Sequence, residues 1–287
     1  MSKRLPGAML AALLVLTFFA VPARATPART TPTWVLPAQV LPAQTAPVDF
    51  TGIVALNNCS GSVVRTPTAQ SSDRALVLTN GHCVKLLAAD EVIVDQAASR
   101  TFTLLDSSGN GSLGTLRAER LLYATMSGTD AALYRLAATY AQVEGMGSRA
   151  LELSPQHPAV GIDIRVVSGY WKRIYSCRAD GFVHRLREAD WTWNDSMRYT
   201  SACAVVGGTS GSPVVDVASG QVVGVNNTAN ESGGRCTMNN PCEVDQAGTV
   251  TVRHKIGYAQ QTYQMVPCLP GGGRLDLYAP GCGLARP

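Results

Sequence analysis

The sequence predicts an all-β protein, and three observations carry that reading. Short β-branched apolar runs recur from Pro47 onward. Gly, Pro, Asn, Asp or Ser bounds each of them. Segments with a helical period are few, so a parallel sheet with helical crossovers is disfavoured. The composition allows a packed core: 46% of the 287 residues are hydrophobic, which excludes a wholly disordered chain. Only 15% are charged, against about 25% in an average soluble domain, so the surface is sparsely charged. The 27 glycines have no collagen-like period, and no apolar run reaches the roughly 18 residues of a membrane-spanning helix. A net charge of +4 without a clustered basic face gives no footing for nucleic acid. The length suits one large domain or two lobes of about 120 residues each.

The first segment, residues 1–25, reads as a secretory signal peptide. Lys3 and Arg4 form a basic start, Ala8 to Ala20 is apolar apart from Thr17, and Ala23-Arg24-Ala25 supplies small residues for cleavage. No stop-transfer stretch follows, so no membrane anchor is expected after cleavage. Removing these residues takes Lys3, Arg4 and Arg24 and no acid, which lowers the charge from +4 to +1. Export implies an oxidising compartment, where the eight cysteines form a disulfide framework rather than a metal site.

Residues 26–47 carry proline every five positions, from Pro27 to Pro47, and Val35-Leu-Pro-Ala-Gln39 repeats at once as Val40–Gln44. Such a tract favours extended backbone and is either a spacer or a propeptide. Strand-like runs follow: Ser62-Val63-Val64, Ala75–Thr79, Glu91–Val94, Ile162–Val167, Pro213–Val215 and Gln221–Val225. The best helical spacing, Ile256, Ala259, Gln260, Tyr263 and Val266, predicts a short C-terminal helix.

Three short segments carry chemistry together that none carries alone. Thr79-Asn-Gly-His-Cys-Val84 puts His82 on a turn just after an apolar strand. Ser127-Gly-Thr-Asp-Ala-Ala-Leu133 puts Asp130 just before one, with Asp106 as a rival acid. Val206-Gly-Gly-Thr-Ser-Gly-Ser-Pro213 flanks Ser210 with glycines that let the backbone bend and aim successive N–H groups at one point. Serine needs a neighbouring base to become a nucleophile, and histidine titrates near neutrality. A buried carboxylate then fixes the imidazole tautomer. The order His82, Asp130, Ser210 differs from that of subtilisins and α/β-hydrolases. An esterase elbow, Gly-x-Ser-x-Gly, is also absent, because Ser212 holds its last place.

Thr79–Cys83, Thr129–Leu133 and Gly208–Pro213 resemble the three motifs of trypsin-like serine proteases, and Cys59-Ser-Gly-Ser-Val63 resembles the strand preceding the catalytic histidine. The Gly-x-Ser-Gly-Ser-Pro form resembles bacterial secreted members near the glutamyl endopeptidases more than animal digestive enzymes. The resemblance covers residues 48–267 and implies two packed six-stranded antiparallel β-barrels, about 48–145 and 155–267, with the catalytic groups in the cleft between them. It implies a secreted serine endopeptidase acting on protein or peptide substrates: His82 as general base and acid, Asp130 orienting it, Ser210 as nucleophile. The Gly208 and Ser210 N–H groups would form the oxyanion hole, and Cys59 would bridge to Cys83. No cofactor or metal is implied, and a monomer is expected. The alternative is a non-catalytic binding module on the same fold.

The chain also departs from the family. Thr209 stands where trypsin-type zymogens carry the aspartate that pairs with a new N-terminus, and Val48-Asp49-Phe50 matches that terminus poorly. The ion-pair switch is therefore expected to be missing. Ala204 occupies the base of the specificity pocket, and Asn226 replaces the histidine of glutamyl endopeptidases. With Val205, these residues predict a neutral pocket without strong preference for Arg, Lys or Glu. Sequence neighbours suggest Cys177–Cys203, Cys236–Cys242 and Cys268–Cys282, with Cys203–Cys236 as a competitor. A zinc site at Cys236, Cys242 and His254 fits no standard spacing. Residues 268–287 have too few apolar groups to pack alone and are expected to be a disulfide-stapled tail.

Overall fold

The computed structural model describes residues 47–287; the expected signal peptide and all but Pro47 of the proline-rich tract lie outside the described residues. Nearly all regular structure is β. The first half supplies β1 Ile53–Ala55, β2 Ser60–Arg65, β3 Arg74–Thr79, β4 Val92–Ala97, β5 Thr101–Leu105, β6 Ser112–Thr125, β7 Ala131–Thr139 and β8 Leu151–Glu152. β1, β5, β6, β7, β3 and β2 pair antiparallel in that order, and the β1–β2 pairing closes the ring. Closure removes both edges; Ala75 and Val77 enter the first-barrel core while Leu76 and Leu78 pack against the tail and the second barrel, so Ala75-Leu-Val-Leu78 reads as continuous apolar sequence and is buried throughout. β6, at 14 residues, bends at two register shifts and pairs with both β5 and β4.

The second half repeats the plan with β9 Asp163–Ser168, β10 Arg173–Glu188, β11 Trp191–Tyr199, β12 Pro213–Asp216, β13 Val222–Ala229, β14 Cys242–Val244, β15 Val250–Val252 and β16 Gly257–Gln261. Here β11, β16, β13, β12, β9 and β10 form the ring, closed by β10–β11, while β14 and β15 extend from β10. The two six-stranded barrels are those the resemblance implies. Tyr175, Cys177, Ala179 and Val183 alternate with exposed residues along β10, as expected for a half-buried strand. The chain passes from one barrel to the other between β8, which pairs with β2, and β9.

The helical expectations need correction. Residues 257–261 form β16, paired with both β13 and β11 and buried at every position, so barrel closure overrides the helical spacing of Ile256–Val266. What remains of the C-terminal helix is one 3-10 turn, Val266–Cys268. The α-helix lies instead at α1, Tyr140–Gly145. Thr139 and Gln142 form a capping box there, a signal present in the sequence.

Disulfides join Cys59–Cys83, Cys177–Cys203, Cys236–Cys242 and Cys268–Cys282. The last closes within the tail rather than onto a barrel, a loop worth roughly 3 kcal/mol. Apolar packing ties the tail down: Leu269, Leu277 and Leu284 are buried in a cluster with Leu76, Leu78 and Tyr123 of the first barrel and Val215, Val222 and Val225 of the second.

Candidate active site

The turn after β3 is built by its own hydrogen bonds. Cys83 N–H donates to Asn80 O and Val84 N–H to Gly81 O, which projects His82 from the strand end. A Cβ on Gly81 would lie 2.1 Å from Thr125 O, so only glycine lets the turn pack against the end of β6. The loop before β7 delivers Asp130, fully buried, to this turn. Its Oδ2 lies 2.7 Å from His82 Nδ1, and its Oδ1 accepts the His82 backbone N–H at 3.1 Å. Asp106, the rival acid, sits in the β5–β6 hairpin and bonds Ser108.

Ser210 arrives from the other barrel, on the loop before β12. Asn80 joins the two: its Nδ2 donates to Asp130 O at 2.8 Å, and its Oδ1 accepts Gly211 N–H at 2.5 Å. Gly211 has φ +78°, and a Cβ there would meet Ser60 O at 2.1 Å, so this approach requires glycine. Ser60 N–H donates to Ser210 O at 2.8 Å.

His82, Asp130 and Ser210 line one cavity. The Ser210 hydroxyl donates to Asn227 O at 3.2 Å rather than to the imidazole. Such bonds are often loose without substrate and tighten when it binds. Among the described residues, the N–H groups of Gly208 and Ser210 meet no acceptor. Thr209 is held inside the loop: its hydroxyl donates to Val206 O at 2.6 Å and accepts from Asn226 Nδ2 at 3.1 Å. Of the expected specificity residues, Val205 and Asn226 line the cavity, but Ala204 is exposed and does not. Cys203, disulfide-bonded to Cys177 and turned onto Thr200 O, carries the chain outward at that point.

One lining residue is invisible to motif reading. Glu188, at the end of β10, is buried beside the cavity and accepts from Thr228 Oγ1 at 2.6 Å and Asn239 N–H at 2.8 Å. Burial pushes its carboxyl above the ordinary range, against those two bonds. For His82, burial pulls the pKa down, but the charge and hydrogen bond of Asp130, with the charge of Glu188, outweigh it, and the net shift is upward. Trp191 and Trp193 on β11 line the same cavity and donate their indole N–H groups to Leu87 O and Met126 O of the first barrel. No motif marks Glu188 in the charged stretch Arg185–Asp190; the β10–β11 pairing and its bonds to Thr228 and Asn239 place it inward.

Two closed β-barrels with these three side chains facing one cavity describe a trypsin-like peptidase. Residues 59–225, more than half of the chain, match the trypsin-like peptidase domain, and the chain belongs to that family. It is similar in fold to the protease domain of MamO from Magnetospirillum magneticum (15% identity, TM-score 0.47, covering 76% of this chain and 96% of that one). The inactive form of the Rv3671c protease gives 16%, 0.46, 74% and 84% for the same quantities. A Glu endopeptidase gives 16%, 0.44, 74% and 85%. No curated protein sequence matches the chain.

Proposed function

We propose that this chain is an exported serine endopeptidase that hydrolyses peptide bonds through an acyl-enzyme on Ser210. The observation that carries the reading is the 2.7 Å His82–Asp130 bond in the cavity that also holds Ser210. Ser210 Oγ attacks the scissile carbonyl carbon as His82 Nε2 takes its proton, and buried Asp130 stabilises the imidazolium. The oxyanion is received by the free N–H groups of Gly208 and Ser210. Collapse breaks the C–N bond, the leaving amine takes the proton from His82, and water repeats the sequence to free the acid.

Exposed Leu86, Val206 and Met238 rim the cavity, which suits a protein or peptide substrate. Val205 and Asn226 supply neutral lining, while Glu188 and Glu231 disfavour a glutamate side chain. Both Glu188 oxygens are bonded within the protein, one to Thr228 and one to Asn239. The four disulfides fit export, and no helix among the described residues is long and apolar enough to cross a membrane. A non-catalytic module draws only on the Ser210–Asn227 bond, which the catalytic reading requires the serine hydroxyl to exchange for one to His82.

Labelling with a fluorophosphonate tests the reading. Wild-type protein is expected to label and Ser210→Ala is not; folded wild-type protein without label would sink the catalytic claim. A peptide library given to the same preparation should show no dominant Arg, Lys or Glu at the cleaved bond.

A further inference from the structure

Trp171 lies at the tip of the β9–β10 hairpin with about half its surface exposed. Its indole is nonetheless fixed. Nε1 donates to Gly207 O at 2.8 Å, the Trp171 backbone N–H donates to Ser168 Oγ at 3.2 Å, and the ring meets Tyr170 edge-on at 5.1 Å. The acceptor is the carbonyl of the peptide whose nitrogen belongs to Gly208. In a trans peptide the C=O and the following N–H point in opposite directions, so gripping Gly207 O fixes where Gly208 N–H points. Paired glycines leave this peptide with unusual rotational freedom, and Gly208 has φ +86°. The next carbonyl, Gly208 O, accepts from Ser60 Oγ at 3.3 Å; that oxygen accepts in turn from Tyr170 N–H at 3.1 Å and contacts Ser168 Oγ at 3.0 Å. The carbonyls flanking the Gly208 nitrogen and Cα are thus both held, Gly207 O by the hairpin and Gly208 O by Ser60 of β2, while its N–H is left without an acceptor among the described residues.

We propose that Trp171 is a positioning residue whose indole N–H holds the Gly207–Gly208 peptide so that Gly208 N–H faces the oxyanion formed on acylation of Ser210. The proposal rests on the reading of Ser210 as nucleophile. Trp171 stands outside all three sequence motifs and reaches the loop only through the fold. A preorganised donor needs no reorganisation as charge develops, and a misplacement of about 1 Å can cost up to 100-fold in rate. Losing the brace leaves the donor present but loosely aimed, so the expected loss is smaller, about tenfold.

Trp171→Phe keeps an aromatic ring beside Tyr170 while removing the indole N–H and part of a half-exposed ring, and its thermal midpoint should stay close to that of the wild type. With a small nitrophenyl ester, kcat should fall about tenfold while KM stays within about twofold. Fluorophosphonate labelling of Ser210 should slow by the same factor. The carbonyl-carbon resonance of Gly207, read in protein with 13C-carbonyl and 15N glycine, should move. A rise in KM with kcat unchanged would make Trp171 a substrate contact and overturn the proposal, as would an unmoved Gly207 resonance. If wild type labels and Trp171→Phe labels equally fast, the brace alone fails. If wild type does not label, the catalytic reading fails and takes the brace with it.

Discussion

His82 sits between two carboxylates that act on it differently. Asp130 touches the ring and fixes which nitrogen carries the proton, whereas Glu188 has no bond to it and acts through charge. Both favour imidazolium, against the effect of burial. A general base must be neutral to accept a proton, so in the proposed mechanism turnover should rise with pH as His82 deprotonates. Glu188→Gln removes one of the charges that raise the His82 pKa, and the acid limb of kcat/KM should move to lower pH. An acid limb that stays in place or moves upward would show that Glu188 does not act on His82. The difference between these acids also marks what can be read from sequence. His82, Asp130 and Ser210 stand in contiguous motifs whose glycines and turn residues sit beside them. Glu188 depends on a hairpin pairing and on a bond from Asn239, contacts with no local signature.

The elements meet at the site through loops, and Asn80 is where three of them join. From the turn after β3 it holds the Asp130 carbonyl before β7 and the Gly211 amide before β12. Gly211 N–H also bonds Asn226 O, so Asn80→Ala would leave that amide one acceptor, but Asp130 O would lose its side-chain donor in a fully buried setting. The expected cost is about 2 kcal/mol of unfolding free energy, read from urea titration, with a loss of turnover as His82 and Ser210 lose registration. A change below about 0.5 kcal/mol would show that the barrels hold these loops without it. Strands such as Ala75–Thr79 and Gln221–Val225 were legible because burial on both faces writes a continuous apolar run. The β16 segment is not, because it is buried at every position and so shows no alternation, while Ile256, Ala259, Gln260, Tyr263 and Val266 in and around it fall at helical spacing.

At the scale of the whole molecule, the proposed triad divides between barrels: His82 and Asp130 come from one and Ser210 from the other. Their registration depends on how firmly the barrels are joined. Trypsin-type zymogens complete this step with a new terminus paired to an aspartate. Here Thr209 fills that place and closes on Val206 and Asn226, while buried Phe50 packs near the β5–β6 turn. The tail supplies another join. Leu277 and Leu284 enter a cluster whose members include Leu76 and Leu78 on one side and Val215 and Val225 on the other. Tyr123 Oη also donates to Ala285 O at 3.0 Å. By composition alone this tail looks like a stapled appendage, because four leucines in a Gly- and Pro-rich stretch form no pattern of their own. Deleting residues 270–287, with Cys268→Ser to avoid a free thiol, removes two buried leucines at about 2 kcal/mol each. Stability should drop by roughly 4 kcal/mol in urea unfolding. If the tail also helps to hold the barrels together, kcat should fall well below the melting temperature, with KM changing less. Lost stability with unchanged kcat would reduce the tail to a cover on the core, and unchanged stability would show that the leucines are not buried in solution.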